Sequence, residues 1–414
     1  MINVDPSRVV VVHERLTELG GSERVVAELA KLWPSCRLLV PIADKRLVPQ
    51  EMFGGVSPQV SPLQRLYRGG GNYAHLLGLL PVAMATADLA DADLVITSHH
   101  AFANRVRAPE HVPVISYTHS PARWMWDPQL RRGEVGGRVG GAGLAAFAKT
   151  QRRADYRAAT RLAGVIANSA AVADRIARWW GREAIVVPPP VDVARFRPAP
   201  HASRESFFLL AGRLVPYKRP EIAAAAARQA GVRLVVAGEG RAQDAVARAG
   251  GAAVTFVGRP DDQTLLDLYR RCQALIFPGE EDFGIVPVEA QACGTPVVAL
   301  GVGGACDSVI DGVTGTLVPQ RRNRTDQVNA FAQALAQFDA GRFDPVVIRR
   351  HAEQFSPEQF ALRLESAVAQ LLDRWADQRV GRPARPQSRR ALVAASMPRW
   401  GGHSSQSLPV RVRR

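Results

Sequence analysis

The sequence predicts an α/β protein built of two domains, and three observations lead there. Short apolar runs alternate with stretches of helical periodicity along most of the chain, the pattern of buried strands joined by helices. The 414 residues are too many for one ordinary domain and suit two, and a Pro/Ala/Ser-rich polar stretch from Pro198 to Glu205 marks the boundary. The third observation is the stretch Pro278–Ala299, PGEEDFGIVPVEAQACGTPVVA. It follows the apolar run Ala274–Phe277 and closes on Pro296–Ala299, and its segment Val286–Cys293 reads as a helix stopped by Gly294. Strand, carboxylate-rich loop, helix and strand is the arrangement in which open α/β sheets bind anionic ligands, at strand C-terminal ends that face helix N-termini.

In chain order, Arg8–Val12 is a buried-strand run. Gly20 and Gly21 lie in the loop after it, and Ser22 can cap a helix Glu23–Leu32 with Val25, Val26, Leu29 and Leu32 on one face. A strand, a glycine-bearing loop and a helix N-terminus suit a phosphate. There is no G-x-G-x-x-G fingerprint, and a plain tight turn explains the glycine pair equally well. Arg37–Val40 is the second strand. Residues 51–75 are rich in Pro, Gly and aromatics, with Arg65 and Arg68 among them. The apolar helix Leu76–Ala87 either packs on the core or lies in a bilayer interface. Asp93–Thr97 and Val114–Tyr117 are strands ending at Ser98-His99-His100 and at Thr118-His119-Ser120-Pro121. Next come Arg123, Trp124 and Trp126, residue types that bind phosphate and stack on sugars. A structural hydrogen-bonding role is the competing reading of His119, and His99 and His100 read as cleft-rim residues. Residues 131–145 are glycine-rich and basic and predict a mobile loop before a helix of about Ala145–Ala159. Gly164–Ala167 is a strand, Asn168-Ser169 a cap, Ala170–Trp180 a helix and Ile185–Val187 a short strand halted by Pro188–Pro190.

Phe207–Leu210 opens the second half, and the loop after it carries Arg213 and Lys218, five residues apart, before a helix Glu221–Gln229. Such a pair either clamps a diphosphate, Arg as a fork and Lys as a point charge, or is solvated surface charge. Val232–Ala237 and Val254–Val257 are strands followed by Gly238-Glu239-Gly240 and by Gly258-Arg259, and Leu265–Cys272 is a helix. Gly301–Gly304 can approach a phosphate with bare amides. Asp311–Pro319 is a turn and strand, and residues 326–338 and 357–374 are helical. Within the central stretch Glu281 sits in the loop, flanked by Glu280 and Asp282, and Glu289 follows eight residues on, inside the helix. Loop acids at a helix N-terminus are an ordinary complement to its dipole. Glu289, on a helix between two apolar strands, needs a partner or a ligand, and paired sugar or ribose hydroxyls suit a carboxylate.

The ordered run EDFGIVPVE–AQACGTPVVA, with Arg213 and Lys218 upstream, resembles the signature of the retaining glycosyltransferases of family 4. Within them, YTHSPARWMWD and FPGEEDFGIVPVEA most resemble bacterial mannosyltransferases that use GDP-mannose in O-antigen or exopolysaccharide assembly. The likeness spans roughly residues 8 to 375. It implies a GT-B fold, two Rossmann-like domains facing across a cleft. These would be an acceptor-side domain 1–198, a nucleotide-sugar domain 199–355, a helix 356–377 that crosses back, and a tail 378–414. It implies catalytic roles for His119, Arg213, Lys218 and Glu281. Gly21, Gly258, Arg259, Phe283, Gly284, Ile285 and Glu289 would join Arg213, Lys218 and Glu281 in holding the donor. Gly20, Arg123, Trp124 and Trp126 would face the acceptor. Glu281 would hold sugar hydroxyls, Glu289 the ribose, and His119 the transferred sugar near its reacting centre. Asp307 stands where the family usually has a glutamate, keeping the charge with a shorter reach.

The reaction implied is transfer of a hexose, mannose from GDP-mannose, to a hydroxyl of a lipid-linked or oligosaccharide acceptor with retention of configuration. Arg213, Lys218 and amides near Gly21 and Gly303 would stabilise the departing diphosphate. A double-displacement glycosidase needs carboxylates about 5 Å apart across the sugar, and Glu281 and Glu289 are poorly suited because both come from the donor side. No Asp-x-Asp stands at a strand end, and no metal or cofactor is expected beyond the nucleotide sugar. A UDP-sugar donor and a non-catalytic GT-B sugar-nucleotide-binding or scaffold protein are the alternatives. A net charge of +15 raises nucleic acid, anionic membrane and phosphorylated substrate as partners. Nine arginines and no acidic residue follow Gln378, so the tail supplies nine of the fifteen charges and reads as disordered. It suits anionic headgroups at about 1 kcal/mol per cation. Nucleic acid is not expected, since the folded part has ordinary charge and no recognition module. Cys36, Cys272, Cys293 and Cys306 lack a Cys-x-x-Cys spacing and read as reduced thiols. With neither a leader-like segment nor an 18-residue apolar run, the expected place is the cytoplasm, peripheral to the membrane's inner face. Oligomeric state has no sequence signal.

Overall fold

The computed structural model describes residues 4–131, 138–199 and 204–379. They form two all-parallel sheets. The first holds β1 (Val9–His13), β2 (Arg37–Val40), β3 (Pro58–Val60), β4 (Leu94–His99), β5 (Val114–Thr118), β6 (Gly164–Ala167) and β7 (Ile185–Val186), in the order β3-β2-β1-β4-β5-β6-β7. The second holds β8 (Phe207–Ala211), β9 (Arg233–Ala237), β10 (Val254–Gly258), β11 (Leu275–Phe277), β12 (Val297–Leu300) and β13 (Gly315–Val318), in the order β10-β9-β8-β11-β12-β13. Both orders run outward from the first strand and then reverse. The crevices at which such sheets take ligands therefore open between β1 and β4 and between β8 and β11.

The apolar runs follow from burial on both faces. Val9 and Val11 of β1 pack with the helix Gly21–Leu32, whereas Val10 and Val12 pack on the opposite face with Leu76, Leu80 and Met84. In β8, Phe207 and Leu209 face one core, and Phe208 and Leu210 the other. Each such side chain contributes roughly 1.5–3 kcal/mol when fully buried. The last helix, Pro357–Arg379, lays Phe360, Leu364, Ala367, Val368 and Leu371 into the core beside β1, so the chain's C-terminal side returns to the first sheet. Gly164 permits this: a Cβ there would stand 2.6 Å from Leu371 Cδ1.

Several elements differ from expectation. The helix expected at Ala145 starts at Arg138, so the glycines at 140, 141 and 143 are helical rather than part of a loop; residues 132–137 lie outside the description. The segment Leu76–Ala87 is a turn, Ala74–Leu76, and a short helix, Leu80–Ala85, broken between them by Gly78. Its Leu76, Leu80 and Met84 are core residues, as the packing reading expects, while Leu79 and Val82 are exposed on the other side. β3 hides in the Pro-rich stretch because it is a three-residue edge strand with an exposed face. The helices Gln243–Gly250 and Pro345–Glu353 bury one large aliphatic side chain each, Val246 and Ile348, too weak a period to read. The Arg-rich tail beyond Arg379 lies outside the described residues. Among the described residues, no helix is long and apolar enough to cross a membrane.

Candidate active site

The two crevices face each other, and two loops of the second domain interlock at its crevice. The loop after β8 carries Arg213 and turns through Pro216–Lys218 into the helix Pro220–Ala230. Arg219 holds φ +51°, the single non-glycine residue with positive φ among those described, at a cost of about 1–2 kcal/mol. That twist aims Lys218 at the loop after β11, and Lys218 Nζ lies 2.8 Å from Glu281 Oε1. Gly279 lets the backbones meet, because a Cβ there would stand 2.7 Å from Lys218 O. Arg213, Lys218 and Glu281 line one recess with Gly212, Phe277 and Pro278. A larger recess of about 510 Å³ lies behind the first sheet, against Trp375 and Arg379, and holds none of the expected site residues. Arg213 also reaches Glu18 of the first domain, 3.1 Å away.

Glu289 has the partners its burial requires. Its Oε2 accepts from Tyr269 Oη at 3.0 Å, and its Oε1 lies 3.4 Å from Arg24 Nη1 on the helix Gly21–Leu32. Burial raises its pKa, with Arg24 and Tyr269 opposing. The helix it sits on starts at Ile285, capped by Gly284 at φ +90°. Ile285 touches the first domain, since a Cβ on Gly21 would stand 2.6 Å from Ile285 Cδ1. The bareness of Gly21 thus serves the approach of the two domains. Gly20 caps the helix Gly21–Leu32, and its N–H donates to Glu23 Oε2 at 2.9 Å.

The carboxylates flanking Glu281 join the domains. Arg175 pairs with Glu280 at 3.0 Å and with Asp282, and Arg123 Nη1 donates to Glu280 O at 3.2 Å and lies 3.4 Å from Asp282 Oδ1. Ser169 Oγ donates to Asp282 O at 2.5 Å. Asp307 Oδ2 accepts from Ala170 N at 3.2 Å, and burial pushes its carboxyl up to about 6. Arg123 is therefore an interdomain contact and not a free acceptor-side cation. Arg24, Arg175 and Tyr269 have no motif spacing that marks them in the sequence; topology alone brings them here.

On the first sheet His119 follows β5, with its Nε2 2.8 Å from Ser98 Oγ. Burial above all holds it down to about 4. His99 is no rim residue: it is fully buried against Trp180, and burial brings it down to about 3. His100 shares the interior side of the crevice, with an unpartnered buried Nε2. The tryptophans expected to stack on sugar are packed against protein. Trp124 stacks on Phe147, with ring centroids 5.9 Å apart, and Trp126 stacks on Trp179 at the same separation. Phe283 is buried against Phe355, so a ligand at this loop meets its backbone. Gly258 and Arg259 end β10, on the same edge of the sheet but two strands from β8.

Trp126 is tied down by Asp155, whose Oδ2 accepts from Trp126 Nε1 at 2.8 Å and Trp180 Nε1 at 2.7 Å. Burial pushes this carboxyl up to about 6, from an ordinary 3.8. A raised folded-state value means that the folded protein binds this proton more tightly than the unfolded chain. Asp155 therefore favours folding below about pH 4 and loses that contribution as pH rises through about 6. Asp155→Asn is expected to flatten the melting temperature between those limits; an unchanged pH profile assigns the titration elsewhere.

Comparison with known proteins bears on the fold and its two domains. The family model Glycosyltransferase Family 4 matches residues 19–195, and the model Glycosyl transferases group 1 matches residues 194–339. D-inositol 3-phosphate glycosyltransferase of Rhodococcus jostii is 34% identical across 48% of this chain and 50% of its own. The Mycobacterium bovis protein of that name is 39% identical across 42% and 41%. The chain thus spans half or less of the curated relatives it matches. Among solved structures, Anabaena HepE in complex with UDP aligns with a TM-score of 0.63 at 18% identity, over 88% of this chain and 100% of that one. Sucrose-phosphate synthase of Thermosynechococcus elongatus gives 0.65 at 19%, over 88% and 99%. These likenesses show the fold, which is GT-B.

Proposed function

We propose that this chain, made of a glycosyltransferase family 4 domain followed by a group 1 domain, transfers a hexose from a nucleoside diphosphate sugar to an acceptor hydroxyl, with retention. The observation that carries the reading is the convergence of Arg213, Lys218 and Glu281 on one recess at the C-terminal edge of the second sheet, with Glu289 behind it. Cations there stabilise the charge that grows on the departing diphosphate, without a metal. Glu281 holds the sugar through its second oxygen while Oε1 keeps Lys218, and Glu289 holds the ribose by exchanging a protein partner for ligand hydroxyls. His119 faces the sugar from the first domain, and closure of the cleft excludes water. The leaving phosphate helps to deprotonate the acceptor. The protein works at the cytoplasmic face of the membrane, and its Arg-rich tail meets anionic lipid.

For the donor we propose GDP-mannose, on the resemblance of the sequences around His119 and Glu281, and for the acceptor a lipid-linked or oligosaccharide glycan of the cell envelope. A UDP-sugar is the second reading, favoured by the UDP in the HepE complex. The curated relatives' name makes D-inositol 3-phosphate an acceptor to test. The first experiment is calorimetric titration with GDP-, UDP-, ADP- and dTDP-sugars in the presence of chelator. GDP-mannose is expected to bind, and Glu289→Ala to weaken it by roughly 10- to 100-fold, the worth of hydrogen bonds to a charged group. Tyr269→Phe, which removes only the protein partner of Glu289, is expected to bind normally. Preference for a UDP-sugar keeps the reaction and changes the donor; binding of none sinks the transferase reading and favours a scaffold.

A further inference from the structure

The ends of β1, β4 and β5 and the first turn of the helix Gly21–Leu32 bring four side chains into one hydrogen-bonded row. Glu23 Oε1 lies 3.4 Å from His13 Nε2, His13 Nδ1 lies 3.0 Å from Ser98 Oγ, and Ser98 Oγ lies 2.8 Å from His119 Nε2. His13 and Ser98 are fully buried and Glu23 nearly so. His119 Nδ1 hydrogen-bonds no described residue and is not sealed in the interior. The row thus ends on one open nitrogen, at the crevice of the first sheet.

With His13 neutral, proton counting fixes the direction of every bond in the row. Glu23 is an acceptor on both oxygens, as a carboxylate is: its Oε2 accepts from Gly20 N at 2.9 Å and from Ser22 Oγ at 3.0 Å, and its Oε1 faces His13. A carboxylate only accepts, so His13 Nε2 carries a proton. In neutral His13 the other nitrogen is then a bare acceptor, and Ser98 must donate its single proton to it. Toward His119, Ser98 can only accept, so His119 Nε2 carries its proton. A neutral imidazole has one N–H, which leaves His119 Nδ1 with a lone pair.

We propose that Glu23, His13 and Ser98 are positioning residues that hold His119 as its neutral Nε2–H tautomer, with Nδ1 as an acceptor for a hydroxyl of the bound sugar. The rival is a protonated His13, which would reverse every bond beyond it and make His119 Nδ1 a donor. Crowding argues against it. His13 is fully buried, and the His100 ring, 5.7 Å from it and 6.1 Å from that of His119, fills space where a cation would need water. The other nearby carboxylate, Glu14, has one oxygen engaged by the backbone N–H groups of His100, Ala101, Phe102 and Ala103.

The presence of a sugar at His119 rests on the transferase reading; the tautomer does not. The test is long-range ¹H–¹⁵N correlation on the full chain labelled in histidine, at neutral pH without substrate, with His119→Gln to assign the signal. His119 is expected to show a protonated Nε2 and a bare Nδ1, His13 to be neutral, and the His119 Nε2–H proton to be protected from exchange. Ser98→Ala is expected to lose that protected proton and to lower kcat by roughly tenfold, the worth of about one hydrogen bond, with donor KM nearly unchanged. A proton on His119 Nδ1, a doubly protonated His13, or a protected His119 proton that survives Ser98→Ala would overturn the proposal. If the tautomers are as stated and no sugar nucleotide binds, the row stands and the transferase reading falls.

Discussion

Lys218→Ala is expected to lower the rate of hexose transfer by roughly 100- to 1,000-fold, the usual cost of removing one preorganised group from a developing negative charge. The side chain is fixed from three directions. Arg219 turns the backbone, Gly279 admits the neighbouring loop to contact, and Glu281 holds the ammonium 2.8 Å away. A group so fixed meets the leaving diphosphate without reorganising, which is the condition for a large effect. The loss is expected in kcat, because charge on the bridging oxygen grows only as the glycosidic bond breaks. Arg213 cannot substitute, since it is more exposed and turned toward Glu18. Nucleoside diphosphate release at saturating donor and acceptor measures kcat, and calorimetry measures donor affinity. A fall confined to KM would make Lys218 a uniform binding group; a change in kcat below tenfold would remove it from the reaction.

The sequence reveals much of this arrangement, and the reasons are physical. β1, β4, β8, β11 and β12 are read within a residue or two because parallel strands buried on both faces leave uninterrupted apolar runs. The helix Ala170–Trp180 is read to the residue because Ser169 caps it and Gly181 ends it. Arg213, Lys218, Glu281 and Glu289 stand out because charge beside apolar strands needs an explanation. What escapes is whatever depends on contact between distant segments. Arg175 looks like any surface arginine on a helix, yet it is buried between two carboxylates more than a hundred residues away. Trp126 looks like a sugar platform and instead serves Asp155, because an indole N–H and a buried carboxylate satisfy each other wherever the fold places them. Ser98 and His13 carry no signal beyond their position at strand ends. Only the strand order, with β1 beside β4 and β4 beside β5, puts them next to His119.

Gly304→Ala is expected to destabilise the protein by about 3 kcal/mol or more, the upper range for overpacking, because there is no side chain nearby to move aside. A Cβ on Gly304 would stand 2.1 Å from Phe283 Cα and 2.5 Å from both Phe283 N and Asp282 O, all backbone atoms of the central loop. That loop is held in place from both domains. Phe283 is buried behind it, Arg175 and Ser169 grip Asp282 in front, and Gly304 N donates to Glu281 O at 2.9 Å. An added methyl must either push Glu281 away from Lys218 or break the start of the helix Ala305–Ser308. The glycine's own backbone is ordinary, at φ −67°, so the expected loss is steric and owes nothing to conformational preference. Gly181→Ala separates the two effects: at φ +63° with nothing within 4 Å, it should cost only the left-handed penalty of about 1–2 kcal/mol. Chemical denaturation of the pair measures the difference. If Gly304→Ala melts no earlier than Gly181→Ala, the two loops are not locked together, and the fixed Lys218–Glu281 geometry on which the reaction argument depends loses its support.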